Sequence, residues 1–339
     1  MKNALTKHRK LLILSIILIA LILGIVISFT VSVRPSSFLL RKVFENNMKK
    51  TNNILKRHLS NQDIIAAKDI NYNPADKDAF LDIYYPPNEN SSEVGTIFWV
   101  HGGGWLSGSK NDFEYWARIL AAEGFSVVTI DYSLAPKNHY PIPVDQTNHA
   151  LGYLDRNQDN LNINMNKLIL AGDSAGAQIV AQIALLTTNL EYARKMAIYP
   201  MLHNNQIKGL LLNCGPYDLK LAASTENLAL KKLVETMMWS YTGEKNFLDA
   251  PLVQYMSIPE YVDGNFPPSF ITTGNADPLL SHSKSLSAAL KSKGVLVDEL
   301  FYSKDHTPAL GHEYQFNLDL EEGREALARM IKFSRRALQ

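Results

Sequence analysis

The chain has 339 residues, of which 46% are hydrophobic and 20% charged, with 34 Lys and Arg against 33 Asp and Glu. This balance excludes a disordered or fibrous protein and predicts a sizeable buried core, while a net charge of +1 provides no field for gripping nucleic acid. A single cysteine, Cys214, excludes an internal disulfide framework and any C-x-x-C metal knuckle.

A short basic tail, residues 1–10, leads into residues 11–33, which carry no charge between Lys10 and Arg34. About 20 apolar residues cross a bilayer, whereas a cleavable signal has an apolar run of about 7–15 followed by small residues. No such cleavage site is evident, so residues 11–33 are expected to be an uncleaved signal anchor in contact with the lipid bilayer. Lys2, Lys7, Arg9 and Lys10 lie on one side and Arg34, Arg41, Lys42, Lys49 and Lys50 on the other. The denser charge of the first ten residues favours a cytoplasmic N-terminus and an extracytoplasmic catalytic part.

Residues 34–70 follow as a basic amphipathic helical linker or cap. Phe38, Leu39, Leu40, Val43, Phe44, Met48, Ile54, Leu55 and Leu59 recur near the helical period, with Arg41, Lys42, Lys49, Lys50, Lys56 and Arg57 between them. Such a helix can lie on the membrane beside its anchor or pack over the domain as a lid, and the pattern alone leaves both open.

From residue 71 onward, short apolar runs at 96–100, 126–130, 168–170, 209–213, 269–273 and 295–301 alternate with helical patterns at 113–122, 144–156, 175–186, 281–293 and 318–338. Apolar strands separated by helices predict a mostly parallel sheet covered on both faces. Gly124 and Gly294 are placed to stop helices. One stretch breaks the alternation: about fifty residues, 216–266, with an amphipathic segment at 229–241 and the aromatics Trp239, Tyr241, Tyr255, Tyr261 and Phe266. An insertion of that length is usually functional. Its aromatics either fill a small core of their own, the favoured reading, or line an acyl pocket.

The run at 168–170 enters Gly172-Asp173-Ser174-Ala175-Gly176, after which the pattern turns helical. A serine hydroxyl becomes a nucleophile when exposed on a tight turn beside a base, and small flanking residues permit that turn. Upstream, the strand at 96–100 ends in His101-Gly102-Gly103-Gly104-Trp105. Three consecutive glycines let backbone approach closely, and their free amides, with that of Ala175, are the candidate oxyanion donors. Neither G-x-x-x-x-G-K-[ST] nor G-x-G-x-x-G is present, which argues against a phosphate cradle. In such sheets the acid and base follow the serine in the order Asp, His. Asp277 lies just after the strand at 269–273, and His312 lies just before the last helix. His306 competes with His312, and Asp298 and Asp305 compete with Asp277. His58, His139, His149 and His203 are expected at the surface or as satisfied core residues.

Taken together, His101-Gly102-Gly103-Gly104-Trp105, Asp131-Tyr132-Ser133-Leu134-Ala135-Pro136 with Tyr140-Pro141, Gly172-Asp173-Ser174-Ala175-Gly176, Asp277-Pro278-Leu279 and Gly311-His312 resemble the hormone-sensitive-lipase-like group of α/β-hydrolases. The resemblance implies an α/β-hydrolase catalytic domain over 71–339 with a cap insertion at about 216–266 and a further cap element in the N-terminal helical region. It implies a catalytic triad of Ser174, Asp277 and His312, an oxyanion hole of Gly103, Gly104 and Ala175, and Asp131 and Tyr132 as supports. The expected activity is that of a serine esterase on small-molecule, glycan or lipid esters, with no metal and no organic cofactor. An amidase, formamidase or peptidase with the same triad, and a catalytically silent binding module, are the rival readings. Two departures bear on substrate range: Ala177 stands where many relatives have a further glycine, and Glu313-Tyr314 follow His312 in place of a small-plus-aromatic pair.

Overall fold

The computed structural model of the protein describes residues 2–87 and 93–339. An eight-stranded sheet runs through it, built from β1 (Ala66–Asn71), β2 (Phe80–Tyr84), β3 (Thr96–Val100), β4 (Ser126–Ile130), β5 (Leu168–Asp173), β6 (Ile207–Asn213), β7 (Ser269–Thr273) and β8 (Val297–Phe301), in the order β1-β2-β4-β3-β5-β6-β7-β8. The strands from β3 to β8 are parallel, and β1 and β2 add an antiparallel edge. This is an α/β-hydrolase sheet, mostly parallel as the alternation of strands and helices predicts.

Side chains alternate across the sheet and build two cores. Phe98, Val100, Leu168, Leu170, Leu210 and Leu212 face α4 (Ile142–Asn157) and α5 (Ser174–Thr188). Ile97, Trp99, Ile169, Ala171, Leu211 and Phe270 face α3 (Glu114–Ala122) and α10 (Glu321–Ala337). Helix α5 is buried on every side from Ala175 to Thr187, so the start of that helix, where Ser174 sits, is held from all directions.

Strands at 96–100, 126–130 and 269–273 have the bounds that the apolar runs predict. Neither β1 nor β2 is visible in the apolar pattern, for a physical reason. β1 is an edge strand with a bulge between Ala67 and Ile70, and β2 carries a fully buried Asp82 that interrupts its run. The Asp82 charge is met by Lys110, whose side chain is also buried and whose Nζ lies 2.8 Å from Asp82 Oδ1 and 2.7 Å from Asp69 Oδ1. Gly124 and Gly294 take φ of +93° and +77° directly after α3 and α9 (Leu280–Ser292), as expected of helix stops.

Helix α1 (Lys2–Val31) contains an apolar stretch, Lys10–Val31, none of which is buried against the rest of the protein. At 1.5 Å per residue it spans about 33 Å, enough for the hydrocarbon core of a bilayer. Helix α2 (Arg34–Arg57) begins after a two-residue break and packs on the domain. Its Ser37 Oγ meets Ser240 Oγ at 2.7 Å, Arg41 donates to the carbonyls of Leu106 and Ala135 at 2.7 and 3.0 Å, and Leu55 is buried. Phe38, Leu39 and Val43 on its outer face stay exposed. Residues 216–266 hold α7 (Leu219–Ala223), α8 (Leu228–Thr242) and short 3-10 turns, while α6 (Leu190–Met196) continues the chain after α5.

Candidate active site

Strand β5 ends at Asp173, and the chain turns at once into α5 through Ser174, which adopts φ +48°. A left-handed serine costs about 1–3 kcal/mol and persists only where its surroundings enforce it. Enforcement comes from close packing behind the turn, since a Cβ on Gly176 would stand 2.0 Å from the Val100 carbonyl oxygen. The third glycine of the motif is therefore required by contact with β3.

Ser174 Oγ lies 3.0 Å from His312 Nε2, and His312 Nδ1 lies 2.8 Å from Asp277 Oδ2. The Asp277 side chain is fully buried, and its other oxygen accepts the Leu279 amide at 2.8 Å. With the carboxylate on Nδ1, the imidazole proton sits there and Nε2 is left to accept from the serine hydroxyl. Burial works against the imidazolium, but the neighbouring Cys214 sulfur and the Asp277 carboxylate together outweigh it and hold the His312 pKa well above the usual histidine value. Burial in turn pushes the Cys214 thiol up to about 11. Asp277 and His312 come from loops after β7 and before α10, far apart in sequence but adjacent at the C-terminal ends of the parallel strands.

The competing residues are engaged elsewhere. His306 Nε2 pairs with Glu322 at 2.7 Å, Asp298 pairs with Arg329, and Asp305 is exposed. His58 is tied to Asp319, and His139 and His203 are exposed.

Gly103 and Gly104 adopt φ of +98° and +60°, and among the described residues their amides donate to no protein group. The Gly102 amide is taken, donating to Asp173 Oδ2 at 2.9 Å. The amide of Ala175, second residue of α5, has no intrahelical partner available. Tyr132 supports the loop from behind: its hydroxyl donates to the His101 carbonyl at 2.9 Å and its ring stacks on His101 at 4.2 Å. Asp131 Oδ1 accepts the Lys110 amide at 2.7 Å, tying down the chain after the glycines.

Two side chains at the site were given no role by the sequence pattern. Asp173 joins Trp99 Nε1 and the Gly102 amide. It is fully buried, and burial together with the nearby Glu313 carboxylate raises its pKa well above the ordinary range. Glu313, at φ +60°, brings Oε1 to 3.8 Å from His312 Nε2. The signals were present, in the middle of one motif and in a departure from another, but only contact across the fold assigns them partners.

A sequence model of the BD-FAE family matches residues 81–293. The chain belongs to the BD-FAE family. The matched segment contains Gly103, Gly104, Ser174 and Asp277 and stops before His312. Carboxylesterase NlhH of Mycobacterium tuberculosis is 28% identical over 263 residues, 76% of this chain and 77% of the relative. An esterase of Gibberella moniliformis is 28% identical over 208 residues, 59% of this chain and 62% of the relative, so the chain spans about three fifths of that protein's length. Esterase B from Lactobacillus rhamnosus superposes with a TM-score of 0.75 at 19% identity, over 90% of this chain and 96% of that one. A hyperthermophilic esterase from the archaeon Pyrobaculum calidifontis gives 0.69 at 22%, over 89% and 92%. The BD-FAE chain thus shares the α/β-hydrolase fold of these esterases.

In this BD-FAE member the cleft at Ser174 has two arms. One, of about 480 Å³, is walled by Gly102, Gly103, His312 and Glu313 and by Phe44, Met48 and Thr51 of α2. The other, of about 240 Å³, is walled by Trp105, Leu221, Leu230, Val234, Met237, Met238 and His282. Helix α2 is thus a wall of the cleft, the lid placement of the two that its pattern allows. The five insertion aromatics line neither arm. Tyr241 and Phe266 are buried, Tyr241 stacks on Trp105 at 4.5 Å, and Tyr255 and Tyr261 cluster with Tyr192. Trp239 instead shares a surface cleft with Phe29, Lys245 and Phe247 at the end of α1. The one metal-ligand grouping among the described residues, Cys214, Asp277 and His312, has Asp277 and His312 already bonded to each other.

Proposed function

We propose that the protein is a membrane-anchored serine carboxylic-ester hydrolase acting on short to medium acyl esters, acetyl esters included. The observation that carries this reading is the continuous hydrogen-bond chain from Ser174 Oγ through His312 to Asp277, at 3.0 and 2.8 Å. Ser174 Oγ attacks the ester carbonyl as His312 Nε2 takes its proton, and Asp277 holds the imidazole tautomer. The amides of Gly103, Gly104 and Ala175 stabilise the tetrahedral oxyanion. His312 then returns the proton to the leaving alcohol, and water attacks the acyl-enzyme by the same path in reverse. Naming of relatives as a carboxylesterase and an acetyl esterase supports the acyl class. The catalytic domain takes residues 71–339 with a cap at about 216–266 and gains β1 (Ala66–Asn71) as the edge of its sheet, and residues 11–33 anchor it, with the catalytic part on the extracytoplasmic side.

The test is hydrolysis of 4-nitrophenyl esters from acetate to long chains by the full chain in detergent. Turnover that is greatest on short acyl groups and disappears in Ser174→Ala, with fluorophosphonate labelling of Ser174 in the parent, supports the reading. An unlabelled Ser174 and no turnover would instead favour the silent binding module; preference for anilides would favour the amidase.

A further inference from the structure

His282 lies on the first turn of α9, five residues after Asp277, and is buried to 4% exposure in the wall of the smaller arm of the cleft. The surrounding wall is mostly apolar, with Leu221, Leu230, Val234 and Met238, and the hydroxyl residues Ser224, Thr225 and Ser281 also line it. His282 Nδ1 accepts the Asp218 backbone amide at 3.2 Å, which puts the ring proton on Nε2. Asp218 is itself fixed: it caps α7 through the amides of Lys220 and Leu221 and accepts the Ser285 hydroxyl at 2.8 Å. Burial pushes the His282 pKa down to about 4, so the ring is neutral at neutral pH. Its Nε2–H meets no acceptor in the protein among the described residues. Although the residue is buried, Nε2 keeps contact with the open space of the arm, and a donor that faces a cavity is completed by whatever occupies that cavity, water or ligand.

The chemistry of the triad assigns the two arms. His312 must hand its proton to the leaving alcohol, and His312 lines the larger arm but not the smaller. The smaller arm, beside Ser174 and the Ala175 amide, therefore holds the acyl group.

We propose that the acyl arm selects acyl groups bearing a hydrogen-bond acceptor, a keto, ether or hydroxyl oxygen beyond the scissile carbonyl, and that His282 Nε2–H is the donor that reads it. This rests on Ser174 being the nucleophile. An alkanoyl chain of equal length displaces water from Nε2–H and offers nothing in return, so it is disfavoured. A site built to donate a hydrogen bond discriminates strongly against the analogue that lacks the acceptor.

The experiment uses the full chain in detergent and two isosteric pairs of 4-nitrophenyl esters, 3-methoxypropanoate against pentanoate and 4-methoxybutanoate against hexanoate, each corrected for spontaneous hydrolysis. In the parent, kcat/KM for the ether member of at least one pair should exceed its partner by about tenfold or more. In His282→Leu that ratio should fall to near one, by loss on the ether ester with alkanoyl turnover kept or raised, and His282→Gln, which retains an N–H donor, should restore part of it. Fluorophosphonate labelling of Ser174 at the parental rate shows that each variant is folded with its site intact; a variant that fails it is replaced by His282→Phe. Equal turnover within both pairs in the parent, or an ether preference that survives in His282→Leu, overturns the proposal. Absence of labelling in the parent overturns the Ser174 reading and this inference with it, whereas labelling with equal turnover overturns this inference alone.

Discussion

Asp173 Oδ2 accepts the Gly102 amide at 2.9 Å, so the residue immediately before Ser174 holds the loop that carries Gly103 and Gly104. The proposed nucleophile and the proposed oxyanion donors are thereby set against each other by one buried side chain, whose second oxygen takes Trp99 Nε1–H at 2.9 Å. Asp173→Ala leaves both donors unpaired and frees the loop. A misplacement of about 1 Å at a catalytic group can cost about 100-fold in rate, so kcat in the ester assay should fall by about that factor, and the melting temperature should fall as well. Asp173→Asn, which can still accept from one of the two donors, should lose less on both measures.

The pH profile follows from His312, which must be neutral to accept the serine proton. Its pKa is raised by Cys214 and Asp277, so kcat/KM should rise with pH through a midpoint above the ordinary histidine value of about 6.5. Asp277→Asn removes the charge that favours the imidazolium, so the midpoint should move to lower pH while kcat drops by about 10⁴-fold. Glu313→Gln takes a carboxylate from 3.8 Å of Nε2 and should move the midpoint in the same direction with most of kcat retained. A profile in Glu313→Gln that coincides with the parent's would remove Glu313 from the electrostatics of the base.

Gly176 should tolerate no side chain. A Cβ there meets the Val100 carbonyl oxygen at 2.0 Å, backbone that cannot step aside. Gly176→Ala should abolish activity and yield little folded protein, whereas Gly294→Ala, at φ +77° but with open space around it, should lose only about 1 kcal/mol in urea unfolding and keep full activity.

Lys110 and Asp82 form a buried ion pair at 2.8 Å, with Lys110 also 2.7 Å from Asp69. Removing one member of such a pair strands the other charge, and Lys110→Met should cost about 3–5 kcal/mol in urea unfolding. Asp69→Asn, at an exposed position, should cost far less. Equal losses in the two variants would show that the buried Asp82 does not depend on Lys110.

Removal of the proposed nucleophile in Ser174→Ala should lower kcat by about 10⁴–10⁶-fold. Gly104→Ala introduces a Cβ 2.8 Å from Met237 Sδ and strains φ +60°, and it should lower kcat by about 100-fold or more if the loop amide is displaced from the oxyanion.

Much of this protein is legible in its order of residues. Apolar runs of five or so residues betray the buried parallel strands because both faces of each strand meet helices, and the serine, acid and base stand in motifs at strand ends, where that sheet presents its loops. The 22 residues of Lys10–Val31 read as a span by length and composition alone. Strands β1 and β2 escape the pattern because an edge strand is half wet and because the charge of Asp82 is neutralised by Lys110, 28 positions along the chain, in a contact that no local window contains. The same limit governs the site. Which histidine meets Ser174, whether α2 walls the cleft, that Asp173 grips Gly102 and that His282 turns a free N–H toward an apolar arm all depend on distances between segments remote in sequence. Motifs and periodicity report what each segment buries, whereas pairing across the fold is decided only when those buried faces pack together.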